Sequence, residues 1–89
     1  MSLPSHAQPY LQHLRVERRL AERSLLLYEA ALQRLHAGCT ALGTEALGLR
    51  PAQARELLAQ AHAGGLAPRS LALMLAAWRG YYRWLAAQR

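Results

Sequence analysis

Residues 68–88 read PRSLALMLAAWRGYYRWLAAQ, and the way this stretch is built decides the fold class. Pro68 suits the first turn of a helix, where its missing N–H costs nothing. No β-branched residue follows it in the stretch. Leu71, Leu75, Trp78, Tyr82 and Leu85 recur at three- and four-residue steps, which places them on one seam of a helix over 68–88. A seam this long and aromatic marks a central core helix. A reading of the same rings as a cofactor-stacking surface comes a distant second.

The reasoning extends outward to the rest of the chain. Beyond the Gly and Pro breakers nearly every residue is a good helix former, and Val16, Thr40 and Thr44 are the β-branched exceptions, so the domain is expected to be all-α with four helices. The first is expected over 9–19, with Tyr10, Leu11, Leu14 and Val16 on its buried side and Arg15, Arg18 and Arg19 on the other. The second is expected over 22–37, with Leu25, Tyr28, Leu32 and Leu35 inward and Gly38 as its stop. Gly38, Gly43 and Gly48 make residues 38–50 a loop with one short turn at 44–47. The third begins at Pro51, turns Ala54, Leu57, Leu58 and Ala61 inward, and ends at Gly64 and Gly65. The expected organisation is therefore a tail over 1–8 and one domain over 9–89. Because the chain stops at the end of its core helix, it is expected to be a fragment of a longer protein.

Length and charge bound the function. Eighty-nine residues, 53% of them hydrophobic, make one small domain that can bury roughly 60–65% of its unfolded surface. The formal net charge is +6 and the pI about 10.8; every basic residue is Arg and every acidic one Glu. A GC-rich coding bias accounts for Arg in place of Lys but not for the surplus of positive charge. That surplus points to an anionic partner, nucleic acid first. Cys39 is the single cysteine, which excludes an internal disulfide or a multi-cysteine zinc site and fits a reducing compartment. His6, His13, His36 and His62 have no metal-ligand spacing, so neither a metal nor another cofactor is expected. The uncharged apolar run over 71–78 falls far short of the ~20 residues a membrane span needs, and no signal peptide is visible. The expected setting is a bacterial cytoplasm, beside the nucleoid, with no membrane partner and no small-molecule ligand.

Catalysis has little to stand on. There is no phosphate-binding glycine loop, no Ser/His/Asp arrangement and no carboxylate pair on one helix face. Glu17, Glu22 and Glu29 lie among arginines at helical spacing, as solvated ion pairs do. None of Tyr10, Tyr28, Tyr81 and Tyr82 has a base or electrophile placed beside it.

Two patterns favour nucleic-acid binding instead. Leu20-Ala21-Glu22-Arg23-Ser24-Leu25 returns as Leu66-Ala67-Pro68-Arg69-Ser70-Leu71, each copy at a helix start with an Arg and a Ser in the first turn. Helix N-termini attract anions through unpaired N–H groups and the helix dipole. In addition, Arg15, Arg18, Arg19, Arg23, Arg34, Arg69, Arg79 and Arg83 fall on the first, second and fourth helices, whereas the third carries only Arg55, beside Glu56. The planar fork of Arg pairs with phosphate or a guanine edge.

These segments resemble a known family. Tyr10-Leu11, Arg18-Arg19-Leu20, the first copy of the repeat followed by Tyr28 and Leu32, and Gly65 through Leu85 with its Trp78-Arg79-Gly80-Tyr81-Tyr82-Arg83-Trp84 run are similar to the N-terminal core-binding domain of Xer-type tyrosine recombinases of the phage-integrase family. The resemblance spans about residues 9–87. It implies a four-helix SAM-like bundle of two helical hairpins that clamps one face of a double-stranded DNA recombination half-site, beside a partner recombinase protomer, while a catalytic domain downstream of residue 89 clamps the other. The second and fourth helices would approach the major groove. Arg23, Ser24, Arg69 and Ser70 match first-turn positions, Leu27 and Leu73 match outward positions that face bases, and Arg79 matches an arginine placed on phosphate. Arg19 and Arg83 complete the expected DNA-binding set. Ala21 departs from the pattern where relatives carry a Ser cap, at a cost of about 1 kcal/mol. Leu27 and Leu73 offer thymine methyls apolar contact without hydrogen-bond readout. The family's catalytic residues have no counterpart in this chain.

One reading from another class remains. Trp78, Tyr81, Tyr82 and Trp84 span too much of a helix circumference for all to face one core, so at least one is expected at the surface, where the fourth helix would dock a partner helix of a protein-interaction module. A lipid-surface helix is disfavoured, because the basic residues are spread over three helices.

Overall fold

Helices form wherever the breakers allow. A computed structural model describes residues 7–88, with α1 at Ala7–Val16, α2 at Glu22–Ala41, α3 at Pro51–Ala63, α4 at Pro68–Ala87, and a single 3-10 turn at Ala46–Gly48. No strand occurs among the described residues. α1 packs on α2, α3 packs on α4, and the two pairs join where α2 lies against α4. This is the all-α, four-helix bundle of two hairpins that the breaker pattern and the resemblance predict. His6, Arg89 and residues 1–6 of the expected tail lie outside the described residues.

Three boundaries and one face differ from expectation, each for a physical reason. α1 starts at Ala7, whose side chain is fully buried, and Pro9 sits in the first turn, where no intrahelical N–H is required. It ends at Val16 rather than at Arg19. Arg19 adopts a left-handed conformation (φ 51°), and the Leu20 N–H turns back to donate to the Leu14 carbonyl at 3.1 Å. Val16, expected in the core, is consequently 57% exposed.

α2 runs through Gly38 to Ala41. Gly38 is a packing residue: a Cβ there would lie 2.6 Å from Leu57 Cδ2, so its bare backbone lets α3 come in against α2. The stop is Gly43, at φ 71°, where Gly43 N–H donates to Thr40 O (3.1 Å) and Thr44 N–H to Cys39 O (2.9 Å), a paired closure that only a left-handed residue permits. The loop is correspondingly shorter than 38–50 and holds its one turn at Ala46–Gly48. α3 and α4 begin at the two prolines as expected, with Gln53 Oε1 accepting from Arg50 N–H at 2.9 Å ahead of α3.

The buried face of α4 is Met74, Ala77, Trp78, Tyr81 and Leu85, while Leu71, Leu75 and Tyr82 are half-buried. Trp78 and Leu85 of the expected seam thus lie in the core, and Leu71, Leu75 and Tyr82 at its edge. Both flanks of α4 are covered. On one, Tyr10 of α1 packs its ring 5.4 Å from Tyr81 and 5.6 Å from Trp84; on the other, the Tyr82 hydroxyl donates to the Ala46 carbonyl at 2.5 Å. Covering both flanks corrects the expectation of a surface aromatic, because Trp78 and Tyr81 are buried and Tyr82 and Trp84 half-buried. The polar atoms inside are paired: Trp78 Nε1–H donates to the Ala31 carbonyl at 2.8 Å, and His36 Nε2 lies 3.2 Å from the Tyr81 hydroxyl.

Two outcomes follow from this packing. Leu32, fully buried, should lose about 2–5 kcal/mol of unfolding free energy on Leu32→Ala, whereas Val16→Ala should change it by less than about 0.5 kcal/mol, both read by urea denaturation. Desolvation by burial, reinforced by Cys39, pushes the Tyr82 phenol up to about 12, so the folded state resists its ionisation. The unfolded chain loses that proton near pH 10, so stability should fall as pH rises from about 10 through 12. Tyr82→Phe should show a shallower alkaline decline in pH-dependent melting.

Candidate nucleic-acid interface

The two copies of the repeated hexapeptide fold alike. Ala21 and Ala67 cap α2 and α4 at φ −64°, ψ 151° and φ −63°, ψ 150°, and neither supplies a side-chain hydrogen bond. In each copy the residue four along closes the first turn: Leu25 N–H donates to Ala21 O at 3.0 Å and Leu71 N–H to Ala67 O at 2.9 Å. Leu20 and Leu66, just ahead of the caps, are half-buried against the core, where a residue before the cap can fix the angle at which a helix begins. Arg23 and Arg69 thereby occupy the same second position of their helices, and both are exposed.

Between the two helices runs a groove of 210 Å³ with Leu27, Ala30, Ala31 and Arg34 on one wall and Leu66, Ser70, Leu73 and Met74 on the other. It brings together three of the expected site residues, Leu27, Ser70 and Leu73. Arg23 lies one turn from Leu27 on α2, and Arg69 one turn from Leu73 on α4, so each shares the helix face that lines the groove. Ser24 is half-buried and Arg79 exposed; neither lines it. Arg19 stands in the left-handed linker ahead of α2. Arg83 belongs elsewhere, to a depression between α1 and α4 shared with Tyr10, Arg18 and Gly80. Arg34 is the residue that the sequence argument left out of its DNA-binding set. Its signal is the spacing of Arg23, Leu27, Ala30 and Arg34, which repeats at four- and three-residue steps along one face.

The charges at this surface are open. Every described arginine is exposed, and among the described residues Arg15 is the one within ion-pair distance of a carboxylate, its Nε 3.5 Å from Glu22. Arg23, Arg34, Arg69, Arg79 and Arg83 therefore present guanidinium groups to solvent, with no carboxylate partner among the described residues. Leu26 and Leu27, 64% and 46% exposed, lie on α2 beside these cations. No group of His, Cys, Asp and Glu able to hold a metal ion occurs among the described residues, and no helix of the described residues is long and apolar enough to cross a membrane.

Four helices in two crossed hairpins, with paired helix starts at one groove, place the protein among SAM-like helical domains. The chain belongs to the phage integrase N-terminal SAM-like domain family, which it matches over residues 7–89. It is 44% identical over 88 residues to tyrosine recombinase XerC 1 of Ralstonia nicotianae, an alignment covering 93% of this chain and 26% of that protein. It is 43% identical over 79 residues to tyrosine recombinase XerC of Pseudomonas putida strain F1, covering 88% of the chain and 26% of that protein. It is 38% identical over 82 residues to the XerC of Xanthomonas campestris pv. campestris strain B100, covering 91% and 26%. The chain thus spans about a quarter of the length of these relatives. No solved structure matches it significantly.

Because both caps lack a side-chain acceptor, Ala21→Ser and Ala67→Ser should each raise stability by about 0.5–2 kcal/mol. Chemical denaturation of the single and double variants checks this, and the sum should be close to additive, since the two caps begin different helices.

Proposed function

We propose that this chain is the DNA-gripping N-terminal domain of a site-specific tyrosine recombinase, holding one face of a recombination half-site through α2 and α4 while strand cleavage belongs to a catalytic domain beyond residue 89. The observation that carries the reading is the groove between α2 and α4, flanked by exposed arginines that have no carboxylate partner among the described residues. Family membership over residues 7–89 and the names of the relatives support it. In this scheme Arg23, Arg69 and Arg79 neutralise phosphates and set affinity, with Arg19, Arg34 and Arg83 adding to the field. Ser24 and Ser70, in the first turns, hold the register against the backbone. Leu27 and Leu73 lie at the groove for apolar contact with thymine methyls, so base discrimination by this domain alone is modest.

The assembled enzyme would place a second recombinase protomer beside this one on the DNA, in a bacterial cytoplasm at the nucleoid. Docking of a partner helix on the aromatics of α4 is the weaker alternative, because none of those four rings is exposed.

Duplex DNA carrying a recombination half-site should bind the isolated domain with a Kd of roughly 1–100 µM near physiological salt, and log K should fall linearly with log salt at about 0.9 per neutralised phosphate. Arg23→Ala and Arg69→Ala should each flatten that slope by about 0.9 and leave the melting temperature nearly unchanged. Absence of binding at low salt, or unfolding of either variant, would overturn the assignment.

A further inference from the structure

The depression between α1 and α4 is separate from the groove and has the construction of an oxyanion site. Its lining includes Tyr10, Leu14, Arg18, Gly80 and Arg83. Tyr10 is only 3% exposed as a residue, and its hydroxyl makes no hydrogen bond to any described residue; since no buried side-chain oxygen or nitrogen among the described residues lacks a partner, that hydroxyl opens to solvent in the depression. The hydroxyl stands over Gly80: a Cβ built at that position would lie 2.6 Å from it. A side chain at residue 80 would thus clash with the hydroxyl, and glycine lets Tyr10 lie directly against α4. Two guanidinium groups line the same depression. Burial, and after it the Tyr28 phenol on the same lining, push the Tyr10 phenol up, while Arg18 and Arg83 act in the opposite direction. Neither arginine has a carboxylate partner among the described residues, and the nearby Glu17 is drawn to His13, with Oε2 3.9 Å from Nδ1.

From this geometry we propose that Tyr10, Arg18 and Arg83 form a pocket for a single phosphate group. Tyr10 donates its O–H to one oxygen, and the two arginines, one from the turn after α1 and one from α4, neutralise the charge from either side. A tetrahedral oxyanion takes the place of water on that donor. The pocket itself stands on the residues just described. That the phosphate comes from a DNA backbone rests on the function proposed above. In that case the contact lies on the α1 flank of α4, away from the groove, and extends the footprint beyond the two first turns.

The test has two arms. In the first, inorganic phosphate is titrated into the 89-residue chain at constant ionic strength held with chloride, and the Gly80 amide is followed by NMR. Phosphate should shift it saturably, chloride should not, and the shift should be lost in the Arg18→Gln/Arg83→Gln double variant and weakened several-fold in Tyr10→Phe. An equal response to chloride, or a shift that survives in the double variant, would overturn the pocket. In the second arm, duplex binding is measured against salt. A slope flatter by about 0.9 in the double variant assigns one backbone phosphate to the pocket. An unchanged slope with DNA still bound would overturn the DNA source and leave a site for free phosphate. If the unmodified chain binds no DNA but still takes phosphate, the function proposed above fails and the pocket stands.

Discussion

The hydrogen bond from the Trp78 indole to the Ala31 carbonyl, 2.8 Å long and buried, is the constraint on which the remaining geometry depends. An indole N–H in an apolar interior must be satisfied, and here the acceptor is a backbone oxygen in the middle of α2. Since Trp78 lies near the middle of α4, the bond fixes where along their lengths the two long helices meet. α1 packs on α2 and α3 packs on α4, so both hairpins take their relative placement from this crossing. The groove is a consequence: Leu27, one turn before Ala31, and Leu73 and Met74, one turn before Trp78, face each other across it.

Around that crossing the aromatic residues work as a lateral seal. Tyr10 bridges α1 to Tyr81 and Trp84, His36 meets Tyr81 edge-on at 5.6 Å between ring centroids, and Tyr82 reaches the turn at Ala46. This arrangement explains how four aromatics in seven residues of one helix stay out of solvent. A single packing face would not hold them, but two covered flanks and a core do. The hydroxyls have the same logic, since Tyr81 and Tyr82 find partners inside. Tyr10 sits at the rim, where its oxygen meets no acceptor among the described residues and Arg18 and Arg83 line the same depression.

How far this could be read beforehand depended on whether the deciding contact was local. The starts of α3 and α4 were legible because Pro51 and Pro68 act on their own backbones, and the end of α3 because Gly64 and Gly65 do. Gly38 was misleading, since its reason for being glycine is Leu57 on another helix, a contact that no local pattern contains. The end of α1 was missed because Arg19 adopts positive φ without being Gly or Asn, so the usual marker of a helix stop is absent. The seam of Leu71, Leu75, Trp78, Tyr82 and Leu85 contains two of the buried residues of α4, Trp78 and Leu85, and omits Met74, Ala77 and Tyr81, because steps of three and four fit more than one line along a helix. For the candidate site, the repeated hexapeptide identified both helix starts, because caps are local. Which arginines share a groove depends on how α2 crosses α4, so Arg34 was overlooked and Arg83 was grouped with residues from which the structure separates it.

The repeat and the charge distribution bear on one another through the caps. A domain tuned only for stability would place an oxygen-bearing side chain at Ala21 and Ala67, where the backbone is already in capping geometry and the gain is about 1 kcal/mol each. Both copies forgo it, and both place an arginine two residues on. The missing oxygen is a stability cost that both helix starts carry, since neither cap residue makes a side-chain hydrogen bond. Helix N-termini in general favour negative charge through their free N–H groups, and a surplus of arginine over glutamate acts in the same direction. The overall charge of +6 is thus unevenly placed: α4 holds Arg69, Arg79 and Arg83 with no glutamate, while α2 sets Arg23 and Arg34 against Glu22 and Glu29, so α4 brings the surplus to the groove.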